Sequence, residues 1–111
     1  MGQERRQHER FELHTQVELV HRGHMETLAA INISAGGILL INENNFDYAM
    51  GEEIRVHIDV PEIAPAFSID ATIIRVIAAT SRPAALAAMW TSSDRAATAG
   101  LAQMLWSLKQ S

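Results

Sequence analysis

Two short stretches carry side chains whose types and spacing could do chemistry. Asn32-Ile33-Ser34-Ala35-Gly36-Gly37 sets Asn32 and Ser34 two residues apart, so in an extended chain both leave the same face while Ile33 leaves the other. A carboxamide and a hydroxyl beside a Gly pair without Cβ atoms form a surface that a flat polar ligand can approach closely. Asn, Ser and Gly are also the commonest turn residues, and the segment by itself reads equally as a plain turn. The second stretch, Arg6-Gln7-His8-Glu9-Arg10, holds two guanidinium groups four residues apart, with Arg5 ahead of them. Guanidinium forks suit phosphate oxygens and base edges, and they stack on planar rings. Glu4 and Glu9 offset much of that charge, so a solvated polar tail is the plainer reading of composition alone.

Catalysis is hard to assemble from the rest. The five histidines, His8, His14, His21, His24 and His57, are scattered over polar strand faces and a turn. His21 and His24 flank that turn, but the sequence places no carboxylate or third ligand with them, and no metal site is expected. Ser34 has no identifiable base and no nucleophile-elbow context. No Gly-rich loop opens a helix, so the P-loop and Rossmann fingerprints are both missing. Asp59 and Asp70 read as outward strand residues.

The elements that must position these groups are mostly strands. From Phe11, the residues Leu13, Thr15, Val17 and Leu19 alternate with Glu12, His14, Gln16 and Glu18, the pattern of a half-buried strand. Arg22-Gly23-His24 makes the turn, Met25 to Ile33 runs back, and Ile38 to Ile41 is apolar enough to be covered on both sides. The loop from Glu43 to Gly51 should tuck Phe46 or Met50 against the barrel end. Ile54, Val56, Ile58 and Val60 alternate cleanly with Arg55, His57 and Asp59. Phe67, Ile69, Ala71 and Ile73 continue the alternation, but Val76 and Ala78 fall on the opposite parity, which predicts a β-bulge or bend at Ile73-Ile74. Arg82-Pro83 makes a turn. Leu86, Ala88 and Trp90 suggest a last strand, although so Ala-rich a run could also be helical. Ser92-Ser93-Asp94 offers an N-cap, after which Ala97, Leu101, Met104, Leu105 and Leu108 recur at helical spacing with Trp106 on the flank.

The reading is therefore one mainly β domain: a flexible arm over 1–10, a six-stranded antiparallel β-barrel over 11–92, and a C-terminal helix over 93–109 packed on the barrel. With 111 residues, 48% hydrophobic and 20% charged, the chain can bury one real core and is too short for two ordinary domains. A net charge of −4 argues against a general DNA or RNA binder. There is no Cys for a disulfide framework, no apolar run of spanning length and no signal-peptide pattern at the start. These features predict a cytoplasmic protein without membrane insertion.

Taken together and in order, Arg6-x-x-x-Arg10 before the first strand and Asn32-x-Ser34-x-x-Gly37 at a strand end resemble the PilZ domain, a bacterial receptor module for the second messenger cyclic di-GMP. The likeness extends to the six-stranded barrel, the Met50-Gly51-Glu52-Glu53-Ile54 approach to the fourth strand and the C-terminal helix. It implies that Arg6 and Arg10 grip phosphates and guanine edges as the arm folds over the barrel, and that Asn32 and Ser34 hydrogen-bond a guanine. Gly37 matches the motif glycine, where a side chain would obstruct the ligand. Arg5, as a further phosphate contact, Gly36, and Arg75, in a region that often stacks on a base, are additional candidates. One departure stands out: similar domains commonly carry a Gly-Val-Gly-Val-like run in the last strand, whereas Ala84-Ala85-Leu86-Ala87-Ala88-Met89-Trp90 keeps only the terminal aromatic. That puts the geometry of this barrel edge in question.

The function so implied is a cyclic di-GMP receptor or adaptor without catalysis, cofactor or metal, which passes its signal to an unidentified downstream protein. One alternative is a PilZ-like adaptor that binds no nucleotide, acting through protein contacts alone. Another, from a different class, is a small metal-dependent enzyme on a barrel.

Overall fold

The computed structural model describes residues 8–44, 46–78 and 84–110. Six strands and one helix follow one another: β1 Arg10–His21, β2 His24–Ser34, β3 Gly37–Ile41, β4 Glu53–Ile58, β5 Phe67–Ile77, β6 Ala85–Trp90 and α1 Arg95–Gln110. All neighbours pair antiparallel, and the order β1-β2-β3-β6-β5-β4 closes on itself, because Leu19 of β1 lies opposite Val56 of β4. Closure leaves no open sheet edge and encloses the inward parity of each strand. Leu19, Ile33, Leu40, Ile58, Ile69 and Leu86 are fully buried there. The Ala-rich run is the strand β6, paired with β3 on one side and β5 on the other. The missing Gly pattern therefore leaves this part of the barrel fully laddered.

The β1–β2 turn is set by Arg22 and Gly23, both at positive φ (52° and 78°), the two-residue hairpin form whose twist matches the flanking strands. The register slips once in β5, between Ile73 and Arg75, at the bulge that the change of parity predicts. Beyond it, Val76 does not enter the core as its parity suggests; it is exposed, like Ala78. Two further slips were not anticipated. One lies between Glu12 and Thr15 in β1, where His14 adopts φ 47°, and the other between Ala30 and Asn32 in β2. The second carries a sequence signal after all, since inward Leu28 and Ala30 are even-numbered and inward Ile33 is odd. Each extra residue bends its strand and raises the local twist, which helps to close so small a barrel.

Two boundaries differ from expectation. β1 starts at Arg10, which pairs with Ser34, so Arg10 belongs to the barrel ladder rather than to the arm. The helix begins at Arg95 because Asp94 is its N-cap: Asp94 Oδ2 accepts from the Ala97 amide at 3.0 Å, and Ser92 Oγ accepts from the Asp94 amide at 3.1 Å. Residues 1–7 of the arm lie outside the described residues, as does the Arg82-Pro83 turn.

Helix α1 lays Ala97, Leu101 and Met104 against the barrel, with Leu105 and Leu108 half-buried beside them. Trp106 points away and is 65% exposed. In the β3–β4 loop, Phe46 packs against the core whereas Met50 is exposed, and Tyr48, which the alternation does not single out, is the buried residue of that loop. The β3 strand is not covered equally on both sides: Ile38 and Leu40 are buried, but Leu39 and Ile41 are only half-buried.

Candidate functional site

A cleft of about 810 Å³ opens where the start of β1, the end of β2, the start of β3 and the ends of β5 and β6 meet. Its walls take His8 and Arg10 from one side, Asn32, Ser34, Gly36 and Gly37 from the β2–β3 connection, and Arg75, Ile74, Met89 and Trp90 from β5 and β6. Of the residues picked out in the sequence, Arg10, Asn32, Ser34, Gly36, Gly37 and Arg75 are all brought together here. Arg5 and Arg6 lie outside the described residues.

Ile33 is fully buried, and Asn32, half-buried, and Ser34, itself 9% exposed, both line the cleft. The Ser34 hydroxyl oxygen accepts from the Gly36 amide at 3.1 Å and from the Gly37 amide at 3.2 Å, a local turn in which the side chain replaces a backbone acceptor. Its oxygen is therefore already engaged, and what remains to offer a ligand is chiefly the hydroxyl hydrogen. Ser34 is thus the turn-former of this segment and also lines the cleft. Asn32 has no such engagement among the described residues, and its amide faces the cleft with both donor and acceptor capacity.

The two glycines serve different ends. A Cβ on Gly37 would overlap the Ala88 carbonyl oxygen and come within 3.1 Å of the Ala88 carbonyl carbon. Glycine is thus required here by the close pairing of β3 with β6, independently of any ligand. A Cβ on Gly36 would instead meet only the His8 ring, at 2.7 Å from Cδ2, because the imidazole lies across the chain at that point.

Charge is distributed unevenly. The chain carries −4 overall, yet the described residues lining the cleft include Arg10 and Arg75 and no carboxylate. Both arginines are exposed, and neither guanidinium has an ion-pair partner among the described residues. Arg55 differs in this respect, since its Nε donates to Asp70 Oδ1 at 3.0 Å on the outer face of β4 and β5. The apolar part of the wall, with Ile74 and Met89 both nearly half exposed, offers faces for a planar ring. The arrangement can hold an anion against two free guanidinium groups, hydrogen-bond a polar edge at Asn32 and Ser34, and cover an aromatic face.

A second polar cluster, at the far end of β1 and roughly 35 Å away by strand rise, was missed by the sequence reading. His21 is buried, with Nε2 2.9 Å from Glu52 Oε1 and its ring centroid 4.4 Å from that of Tyr48. Glu52 also accepts from the Ala49 amide at 2.8 Å and from Arg22 Nε at 2.8 Å, and the Tyr48 hydroxyl donates to Glu26. The Ala49 amide, then His21 and Arg22, hold the Glu52 carboxyl down at about 2 against an ordinary 4.5. Burial, helped by the Glu26 carboxylate, pushes the Tyr48 phenol well above its ordinary value. Every member is spent on another, and among the described residues no group of His, Cys, Asp and Glu is disposed to hold a metal. The cluster ties the β1–β2 turn to the loop before β4. No sequence signal links residues up to 31 positions apart; only barrel closure does.

Fold and cleft together define a small closed antiparallel barrel, capped by a helix and carrying a ligand-sized recess at one junction of strand ends. The PilZ domain profile matches residues 4–102, so the chain belongs to the PilZ domain family. Among solved structures, the PilZ domain of YcgR from Escherichia coli with c-di-GMP superposes with a TM-score of 0.75 at 15% identity, over 96% of this chain and 93% of that one. Bacillus subtilis MotI/DgrA gives a TM-score of 0.75 at 21% identity, and the K. pneumonia MrkH complex with c-di-GMP gives 0.78 at 16%. Each covers 96% of this chain, which spans about half the length of those two proteins (52% and 53%). No curated protein sequence matches the chain. No helix among the described residues is long and apolar enough to cross a membrane.

Proposed function

We propose that this chain is a cyclic di-GMP receptor that works as a binding module in the cytoplasm, with no catalysis of its own. The observation that carries the reading is the convergence of Arg10, Asn32, Ser34 and Arg75 on one cleft that no carboxylate lines among the described residues. Cyclic di-GMP presents two phosphodiester anions and two guanines. Arg10, with Arg6 and Arg5 from the preceding segment, supplies forked donors for phosphate oxygens and for the acceptor edge of guanine. Asn32 and the Ser34 hydroxyl hydrogen meet the polar edge of a base, and Arg75 stacks on its face. Gly36, whose missing Cβ would meet only the His8 ring, leaves room for that approach. Contact of Arg5 and Arg6 with the bound ligand then creates a surface for a downstream protein target.

Calorimetric titration with cyclic di-GMP tests the reading. Charge-assisted hydrogen bonds contribute roughly 1.5–3 kcal/mol each. Arg10→Ala should therefore bind roughly ten- to hundredfold more weakly, with the melting curve of the free protein nearly unchanged. Arg6→Ala should behave alike, while Arg55→Ala, on the remote face, should keep wild-type affinity. Wild-type protein that takes up no ligand at high micromolar concentration would replace this reading with a nucleotide-independent adaptor.

A further inference from the structure

The connection that presents Asn32 and Ser34 is anchored from the neighbouring strand β6 by a single residue, Trp90. Its indole Nε1 donates to the Ser34 carbonyl oxygen at 2.9 Å, a bond between residues 56 positions apart. Its backbone amide donates to the Gly36 carbonyl oxygen at 3.0 Å. Ser34 is thereby held twice: its hydroxyl by the Gly36 and Gly37 amides, and its carbonyl by the indole. On the β3 side, the Ala88 carbonyl fills the space where Gly37 lacks a Cβ. A two-residue connection between strands, Ala35 and Gly36, would ordinarily have several conformations of similar energy, and each would aim the Ser34 hydroxyl and the Asn32 amide differently. With both carbonyls claimed by one residue of β6, the connection keeps one of them.

We propose that Trp90 is a positioning residue of the ligand site, acting through Ser34 by way of its indole N–H. The inference rests on the cleft being the cyclic di-GMP site. A fixed connection spares the ligand the cost of ordering it, so affinity depends on a bond that the ligand does not touch. The group that matters is the N–H. Trp90 is half-buried and packs against the core through its ring, and a Phe ring would keep most of that packing while losing the donor.

The test is a double-mutant cycle in ligand affinity, built from Trp90→Phe and Ser34→Ala in the full chain with calorimetric titration of cyclic di-GMP. Each single variant should bind about tenfold more weakly. The pair should bind little worse than either one, because both changes release the same connection. Leu105→Ala, which disturbs the half-buried edge of α1 far from the cleft, serves as the control for a general loss of stability and should retain wild-type affinity. Multiplicative losses in the double variant would mean that Trp90 contacts the ligand on its own account, and wild-type affinity in Trp90→Phe would mean that the indole bond is idle. Either result overturns the proposal while leaving the receptor reading intact; only failure of the wild-type protein to bind removes both. A second measurement needs no variant. In protein labelled with 15N at the indoles, the Trp90 N–H should exchange with solvent far more slowly than that of Trp106, and its resonance should shift on saturation with ligand. Equal exchange at the two indoles would show that the bond to Ser34 is not formed.

Discussion

Gly36 and Gly37 are adjacent in sequence and line the same cleft, yet the structure assigns them opposite sensitivities to the smallest substitution. In Gly37→Ala the new methyl would overlap the Ala88 carbonyl oxygen, with Met89 Cα only 3.3 Å away. These are backbone atoms of β6, so no side-chain rotation relieves the clash, and β3 and β6 must separate at the end of their ladder. Overpacking of this kind costs about 1–3 kcal/mol. For a domain of this size each 1 kcal/mol lowers the melting temperature by about 4–8 °C, so a fall of roughly 5–20 °C is expected. In Gly36→Ala the methyl meets only the His8 ring, at the cleft margin, which can swing aside. That change should stay within about 0.5 kcal/mol of wild type, as surface substitutions usually do. Thermal denaturation followed by far-UV circular dichroism, with both variants at one protein concentration, reads the difference. A Gly37→Ala protein that melts with the wild type would refute the argument that β3–β6 contact, rather than ligand clearance, demands this glycine.

Two further outcomes follow from other parts of the barrel. Gly100→Ala in α1 gains about 1 kcal/mol of helix propensity, but the new Cβ would stand 2.7 Å from Phe67 Cβ and Cγ. The clash should win, and the melting temperature should fall; a rise would mean that the helix can lift off β5 freely. Because Glu52 titrates at about 2 in the fold against an ordinary 4.5, its carboxylate contributes stability that is complete above about pH 4.5 and lost as the pH falls through about 2. Urea unfolding across that window should show a decline that Glu52→Gln largely abolishes, and an identical pH profile in the two proteins would show that the Ala49 amide, His21 and Arg22 do not hold the carboxylate.

Much of this was legible in the chain because one physical rule, period-two burial, applies to most of it. The rule places Ile33 inward between Asn32 and Ser34, and its failure after Ile73 marks the bulge in β5. It was silent wherever a bulge leaves the alternation intact, as between Glu12 and Thr15, and it could not assign a core position to Tyr48 in a loop. Helical spacing found the face of α1 but does not separate Leu105 and Leu108, which sit at its half-buried margin, from the fully buried Met104. The cleft was legible only as two separate motifs. What joins them is the pairing of Arg10 with Ser34 and the reach of Trp90 from β6 past β3 to Ser34, contacts between residues far apart in the chain. The reason for Gly37 was invisible for the same cause: its constraint comes from Ala88, on a strand that the sequence does not place beside it.

The central claim, that this cleft is where cyclic di-GMP sits, is tested most directly by amide chemical-shift mapping of 15N-labelled protein during titration with the dinucleotide. The amides of Arg10, of Asn32 through Gly37, and of Arg75 and Met89 should move in a saturable way, while those of His21, Glu26 and Glu52 at the opposite end of β1 stay in place. Saturable shifts confined to the His21 end or to the outer face of α1, with Asn32 through Gly37 unmoved, would contradict it.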